Sequence, residues 1–166
     1  MPANRIELTI YTASDRPELL RLSLELHSDY FLQNASRQIQ EVQQEKDIKN
    51  SYENYLDFIE TDKDKSWKIL LAKTQENKIA GFIIGSVVAD EELVLSKIGR
   101  FEDWFVESQF RRQGIGMSLY NALEKWFIET GCKQVHSDTW QGNELSIKAH
   151  RQLGFFVSGI QFSKKI

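Results

Sequence analysis

The chain has one cysteine, Cys132, among 166 residues. An intrachain disulfide and a cysteine-based zinc cluster are therefore both excluded, as suits a protein of a reducing compartment. Three histidines show no ligand spacing, so no metal site is expected. Proline is also scarce, with two residues. No Pro/Gly/Ser linker, low-complexity tract or internal repeat divides the sequence, and a single domain over residues 1–166 is expected. The start, Met1-Pro2-Ala3-Asn4-Arg5, lacks the apolar core of a signal peptide, and no apolar run is long enough to span a bilayer. The expectation is a cytoplasmic protein with no membrane partner. A net charge of -3 argues against nucleic acid as the main partner. What is present, 41% hydrophobic and 27% charged residues, suits an ordinary globular core.

The stretch around which the chain is organised runs from Trp104 to Met117. Phe101–Val106 is apolar and aromatic enough for a buried strand. From Ile115, the apolar residues Leu119, Ala122, Leu123, Trp126 and Phe127 recur at helical spacing, and Gly131 stands where a left-handed C-cap is expected. Between strand and helix lies Arg111-Arg112-Gln113-Gly114-Ile115-Gly116. Two glycines allow close backbone approach. The first N–H groups of the helix have no intrahelical partners and carry partial positive charge, so with two arginines the turn is an anion site. A Gly-x-Gly by itself would be a plain strand–helix connection.

The remaining elements follow from periodicity and turn chemistry. Ile6–Tyr11 alternates as a strand. Asp15-Arg16-Pro17-Glu18 reads as a helix start, with Asp15 as cap and Glu18 reaching back, and the helix continues to about His27. Ser28–Ala35 is a break. Ser36–Glu60 is helical, with the Asn50–Ser51 pair a candidate division into two helices. Trp67–Ala72 and Ile79–Val88 read as strands around a Gln75–Lys78 hairpin loop, the second bending at Gly81 and Gly85. Asp90-Glu91-Glu92 is an acidic loop, and Leu93–Ile98 suits strand or loop. Gln134–Thr139 reads as a strand, Asn143–Leu153 as a helix and Phe155–Phe162 as a last strand. This order predicts an α/β fold with a mixed, twisted, mostly antiparallel sheet and helices on both faces.

Val106 followed, five positions on, by Arg111-x-x-Gly114-x-Gly116 and an amphipathic helix resembles the acetyl-CoA signature of the GNAT superfamily of N-acetyltransferases. The resemblance implies that acetyl-CoA is the cosubstrate. Backbone groups of Gln113, Gly114, Gly116 and Met117 would hold its pyrophosphate, with the charge of Arg111 and Arg112 alongside. The backbone of Phe105 and Val106 would pair with its pantetheine arm. A second stretch, Asn143 to Phe155, is similar to the family pattern of Asn, a Tyr seven positions on, and Gly-Phe four further. Here Asn143, Gly154 and Phe155 match, and His150 stands in the Tyr position. In the family that Tyr protonates the departing thiolate; His150 either takes this role or fills space between helix and sheet. The tail Gly131-Cys132, Ser137-Asp138-Thr139, Asn143, Ser146, His150 and Leu153-Gly154-Phe155 resembles a subset of aminoglycoside 6'-N-acetyltransferases.

Acyl transfer to an amine needs an unprotonated nitrogen, and a strand carboxylate can take its proton. Glu102 and Asp103 are the candidates. Neighbouring strand residues point to opposite faces, so one of them is expected to face the acceptor, and the resemblance favours Glu102. Cys132 as an acyl-carrying nucleophile is set aside in favour of a small buried hydrophobe. The implied activity is direct transfer of acetyl to a primary amine, with an aminoglycoside or polyamine as acceptor. A protein N-terminus or lysine is the alternative acceptor, and a non-catalytic acyl-CoA-binding module the alternative class. Phe155, Phe156 and Phe162 on the terminal strand suit either an internal core or pairing across a homodimer.

Overall fold

The computed structural model describes residues 5–28, 45–89, 97–139 and 142–160. Five strands form one sheet in sequence order: β1 (Glu7–Ile10), β2 (Trp67–Lys73), β3 (Ile79–Ala89), β4 (Lys97–Val106) and β5 (Gln134–Ser137). The first four pair antiparallel, and β5 runs parallel to β4. The helices are α1 (Arg16–Leu26), α2 (Glu45–Thr61), α3 (Ile115–Glu129) and α4 (Glu144–Gln152). The expected mixed, mostly antiparallel sheet is thus observed, and β4 extends to Lys97, at the end of the stretch that suited strand or loop. The acidic loop Asp90-Glu91-Glu92 lies outside the described residues.

Alternation along β2 divides the core into two layers. Leu70 and Ala72 face α3, where they join Leu119, Tyr120, Leu123, Trp126 and Phe127. Ile69 and Leu71 face the other way, toward Leu19 and Leu22 of α1 and Leu56 of α2. Helices therefore cover both faces. On one side α3 sits close to the sheet because β3 and β4 present glycines beneath it. A Cβ on Gly85 would lie 2.7 Å from Leu123, and one on Gly99 would lie 2.6 Å from Phe127.

Four details differ from expectation. Asp15 does not cap α1; its carboxylate turns back to accept from the Thr12 amide at 3.0 Å and from Lys73 Nζ at 2.5 Å, tying the helix start to β2. Glu18 pairs with Arg21 at 2.7 Å instead of reaching back to the cap. Helix α2 continues unbroken through Asn50–Ser51: half-buried Ile48 before the pair and Tyr52, Tyr55, Leu56 and Ile59 after it follow one helical spacing. No strand forms over Phe155–Ile160, and the end of the predicted strand lies outside the described residues. The chain there leaves α4 through Gly154, whose φ is +87°, and the Gly154 and Phe155 amides bond back to the Arg151 and His150 carbonyls. These amides close the helix end and are not available to a sheet ladder. Phe155 then turns inward against Phe101, Tyr120 and His150, while Phe156 stays exposed.

Any side chain at Gly99 must displace Phe127 of α3, which is buried against the sheet. Gly99→Val is expected to destabilise the fold by about 1–3 kcal/mol, the usual cost of overpacking, read as a lowered urea midpoint at unchanged m-value.

Candidate active site

The site is built on an irregularity in β4. Ile84 pairs with Asp103 and Gly85 with Phe101, so Glu102 is an extra residue with no partner position on β3. A bulge of this kind breaks the period of two. Phe101 accordingly faces the α3 layer, while Phe105 belongs to the α1/α2 layer, although four residues apart they would share a face in a regular strand. The same irregularity turns Glu102 and Asp103 toward one side. Both line a cleft of about 250 Å³ whose other walls are Ser51, Tyr52 and Tyr55 of α2. The expectation that only one carboxylate could face an acceptor is therefore corrected: alternation fails at the residue where it was applied.

The two carboxylates have different surroundings. Glu102 is exposed, and its Oε1 accepts from the buried Ser86 hydroxyl at 2.5 Å. Asp103 keeps some surface toward the cleft, but dense surroundings and, secondarily, the charge of Glu102 push its carboxyl up to about 7. A carboxyl that changes state near neutrality suits proton transfer from an amine, so the environment favours Asp103 over Glu102. The tyrosines were legible only as members of a helical apolar face. Burial, with the charge of Asp103 behind it, raises the phenols of Tyr52 and Tyr55, which keeps them neutral.

Helix α2 is held in place over this cleft by charge. Arg16 of α1 reaches Asp57 at 2.6 Å, Glu60 at 2.9 Å and the Glu53 carbonyl at 3.1 Å. Tyr11 at the end of β1 donates to Glu60 at 2.6 Å.

On the other edge of β4, pairing with β5 runs from Ile98–Gln134 to Phe101–Ser137, and β4 then continues alone on that side to Val106. The two parallel strands part where the bulge begins. Past Val106 the chain makes a short 3-10 turn, Ser108–Phe110, and enters the predicted glycine turn. Arg112 has a φ of +62° and Gly114 of +79°, with Gly114 directly before α3. The first bond of the α3 ladder runs from the Ser118 amide to the Gly114 carbonyl at 3.0 Å. The amides of Ile115, Gly116 and Met117 thus precede the ladder at the positive end of the helix. A Cβ on Gly114 would meet nothing within 4 Å, so open space lies over the turn, whereas one on Gly116 would lie 3.3 Å from Trp104. These amides and this open space fit a pyrophosphate.

Arg111 and Arg112 divide. Arg112 is exposed at the rim with Gln113 and Met117. Arg111 folds inward: its Nε donates to the Val106 carbonyl at 2.8 Å, and its guanidinium lies 5.6 Å from the centre of the Phe105 ring. It braces the turn against the end of β4, a use of the residue that spacing does not distinguish from phosphate contact.

The second signature is brought to the same region through β5. Asn143 is buried and caps α4, its Oδ1 accepting from the Ser146 amide at 3.2 Å. His150 spans from α4 to β5. Its Nδ1 lies 2.7 Å from the Ser146 carbonyl and its Nε2 lies 2.7 Å from Ser137 Oγ. A carbonyl only accepts, so Nδ1 carries a proton, and the neutral ring must then accept from Ser137 at Nε2. Ser137 is the last residue of β5 paired with β4, which places this contact at the fork. Cys132 is a buried member of the α3 layer, as a small hydrophobe should be.

Residues 24–155 match the Acetyltransferase (GNAT) family. The chain belongs to that family. Acetyltransferases of this family use acetyl-CoA as acyl donor. Among individual proteins, the chain is 34% identical over 88 residues to the aminoglycoside N(6')-acetyltransferase type 1 of Klebsiella aerogenes, a match covering 52% of this chain. That match spans 58% of the relative, just over half its length. Two solved structures share the fold at 20% identity. The aminoglycoside antibiotic 6'-N-acetyltransferase AAC(6')-Ih from Acinetobacter baumannii superposes with a TM-score of 0.71, covering 98% of this chain and 99% of that one. The aminoglycoside N-acetyltransferase AAC(6')-Iy in complex with CoA has a TM-score of 0.69, covering 99% and 98%. Among the described residues of this GNAT chain, no helix is long and apolar enough to cross a membrane and no cluster of side chains is arranged to hold a metal ion.

The raised Asp103 carboxyl has a consequence independent of catalysis. Folding favours its protonated form, so its contribution to stability is full below its ordinary value of 3.8 and is lost as pH rises through about 7. Asp103→Asn removes that loss. Its melting temperature relative to the parent is expected to rise between pH 5 and pH 8, and a difference that stays flat across this range contradicts the assignment.

Proposed function

We propose that this protein is an acetyl-CoA-dependent N-acetyltransferase that transfers acetyl directly to a primary amine of a cationic small molecule, of the aminoglycoside or polyamine type. The observation that carries this reading is the placement of two adjacent carboxylates in a cleft beside the fork between β4 and β5. The anionic cleft attracts and orients a cation. The names of the related proteins and the C-terminal resemblance support the same acceptor class.

The residues divide the work as follows. The turn from Gln113 to Met117 holds the pyrophosphate with backbone N–H groups, Arg112 adds charge at the rim, and Arg111 keeps the turn seated on Val106. The edge of β4 at Phe105 and Val106 lies along the pantetheine arm. Asp103 takes the proton of the bound ammonium and so exposes the nitrogen lone pair; Glu102, held by Ser86, contributes the fixed negative charge. The thiolate leaves near Ser137 and His150. The Ser137 hydroxyl, bonded to His150 Nε2, is the group placed to give the thiolate a proton, and Nε2 is placed to pass a replacement proton to it. Asn143 orients the helix that carries His150.

Thiol release from acetyl-CoA should be followed with aminoglycosides, polyamines, basic peptides and neutral amines at low and moderate salt. Polycations are expected to be the better acceptors, with a Michaelis constant that rises with salt. Acetylation of peptides alone would replace the small-molecule reading with protein acetylation, and coenzyme A binding with no turnover on any amine would make the protein a binding module. For active acceptors, turnover in the parent should rise with pH through a group near 7, and Asp103→Asn should remove that limb.

The coenzyme site has a separate test. Gly114→Asn keeps a residue that tolerates left-handed backbone but fills the open space over the turn. Calorimetric titration should show coenzyme A affinity weakened several-fold in a protein that unfolds normally; unchanged affinity would remove the turn from the site.

A further inference from the structure

Among the residues that line the cleft, Tyr55 carries a polar atom without a partner. The hydroxyl oxygen of Tyr55 is buried and has no hydrogen-bond partner among the described residues. Burying a hydroxyl without a partner is costly, and such an atom on a residue that lines a cleft is a natural place for a ligand to bond. The ring cannot easily swing away to find another partner. It packs edge-on against Trp67 of β2 at 5.3 Å and against Tyr52 at 6.4 Å, and Trp67 is held in turn by Phe58 at 5.8 Å. Its own helix is fastened to α1 by Arg16.

The cleft also constrains what the hydroxyl can meet. Its lining offers oxygens: two carboxylates, two phenols and the Ser51 hydroxyl. Such a surface is complementary to a ligand rich in N–H donors. A carboxylate can take a proton from an ammonium, but it cannot by itself fix the direction of the lone pair left behind. An amine has two remaining N–H groups, and holding one of them sets that direction.

We infer that Tyr55 is a positioning residue for the acceptor amine, its phenol oxygen accepting one N–H while Asp103 takes the proton. The inference rests on the acetyltransferase reading given above. The proton balance is simple. The ammonium N–H bond breaks and a carboxyl O–H bond forms on Asp103. One of the two remaining N–H groups stays on Tyr55; the freed lone pair forms the new N–C bond to the acetyl carbon as the C–S bond breaks, the other N–H proton is lost as the amide forms, and the departing thiolate takes up one proton. The tyrosine neither gains nor loses a proton. This assigns to α2 a part in choosing the acceptor, and it predicts selection for a primary amine, which keeps an N–H for Tyr55 after two protons are lost and one bond is formed, where a secondary amine keeps none.

The test is Tyr55→Phe, which keeps the ring packing on Trp67 and removes the oxygen. Kanamycin A and spermidine serve as probe amines. The value of kcat/KM for the amine should fall by about ten-fold, while KM for acetyl-CoA and the melting temperature stay at parental values. Parental kinetics with both amines in the variant would show that Tyr55 has no such role while leaving the acetyltransferase reading intact. Loss of melting temperature and acetyl-CoA binding together with activity would make the residue structural and overturn the inference. A parent that acetylates neither probe overturns the small-molecule reading and this inference with it. If Tyr55→Phe does not fold, 2,3-difluorotyrosine at position 55 keeps the ring and weakens its oxygen as an acceptor. A raised amine KM then supports the role, and an unchanged one refutes it.

Discussion

The structure depends on one extra residue in β4. Without the irregularity at Glu102, Asp103 would point into the α3 layer, among Phe101, Tyr120 and Phe127, and Glu102 would stand alone on the α2 side. The inserted residue moves Asp103 across the sheet to join Glu102 and, in the same step, turns Phe105 into the α1/α2 core. It also coincides with the place where β5 stops pairing with β4. A bulge increases local twist and bends the strand that carries it. Here the bend gives the two ends of β4 different neighbours: a parallel partner before it, and an open edge leading to the glycine turn after it.

The second constraint is how closely α3 lies on the sheet. Gly85 and Gly99 let Leu123 and Phe127 approach the backbone of β3 and β4. That contact fixes the far end of α3. Its near end is fixed by Gly116 against Trp104 and by Arg111 bonded to Val106. The amides at the start of α3 are therefore held at a set position relative to the end of β4. A ligand reaching from the turn to the fork meets two surfaces whose separation is set by packing and not by loop flexibility. Buried apolar contacts thus supply the rigidity that preorganised binding requires.

The elements with strong periodicity were legible from residues alone: β2, β3 and α3 stand where their apolar patterns put them, and the glycine turn has the positive φ values that its composition suggested. The carboxylate pair was legible as chemistry but not as geometry. Reading one of the two as facing away assumes a period of two, and neither Glu102 nor its neighbours carries the glycine or proline that commonly marks a bulge. Tyr52 and Tyr55 were hidden for a different reason. Tyrosine at helical spacing supports both a core and a polar wall, and only the position of α2 over β4 separates the two. Arg111 and Arg112 illustrate the same limit. They are identical residues in adjacent positions, yet the left-handed φ of Arg112 sends one to the rim and the other to a backbone carbonyl. The terminal apolar residues read as a strand because their composition suits one, but a strand also needs an edge to pair with, and the amides at its start are consumed in closing α4.

The arrangement of charge gives the proposed reaction a direction. In the absence of a cation, burial and the negative charge of Glu102 both oppose ionisation of Asp103. An ammonium entering the cleft offsets the second of these effects, since it neutralises the field of Glu102, and it favours the carboxylate that must accept its proton. Once the proton has moved, the positive charge is gone. The environment of Asp103 then again favours the protonated carboxyl. Two equally solvated carboxylates would bind the cation as well but would leave it protonated, because each would sit far below an ammonium in basicity. A lone buried carboxyl would accept a proton readily but would attract the cation weakly. The exposed Glu102 beside the enclosed Asp103 separates attraction from proton acceptance, and the bulge that sets them side by side makes that separation possible within two consecutive residues.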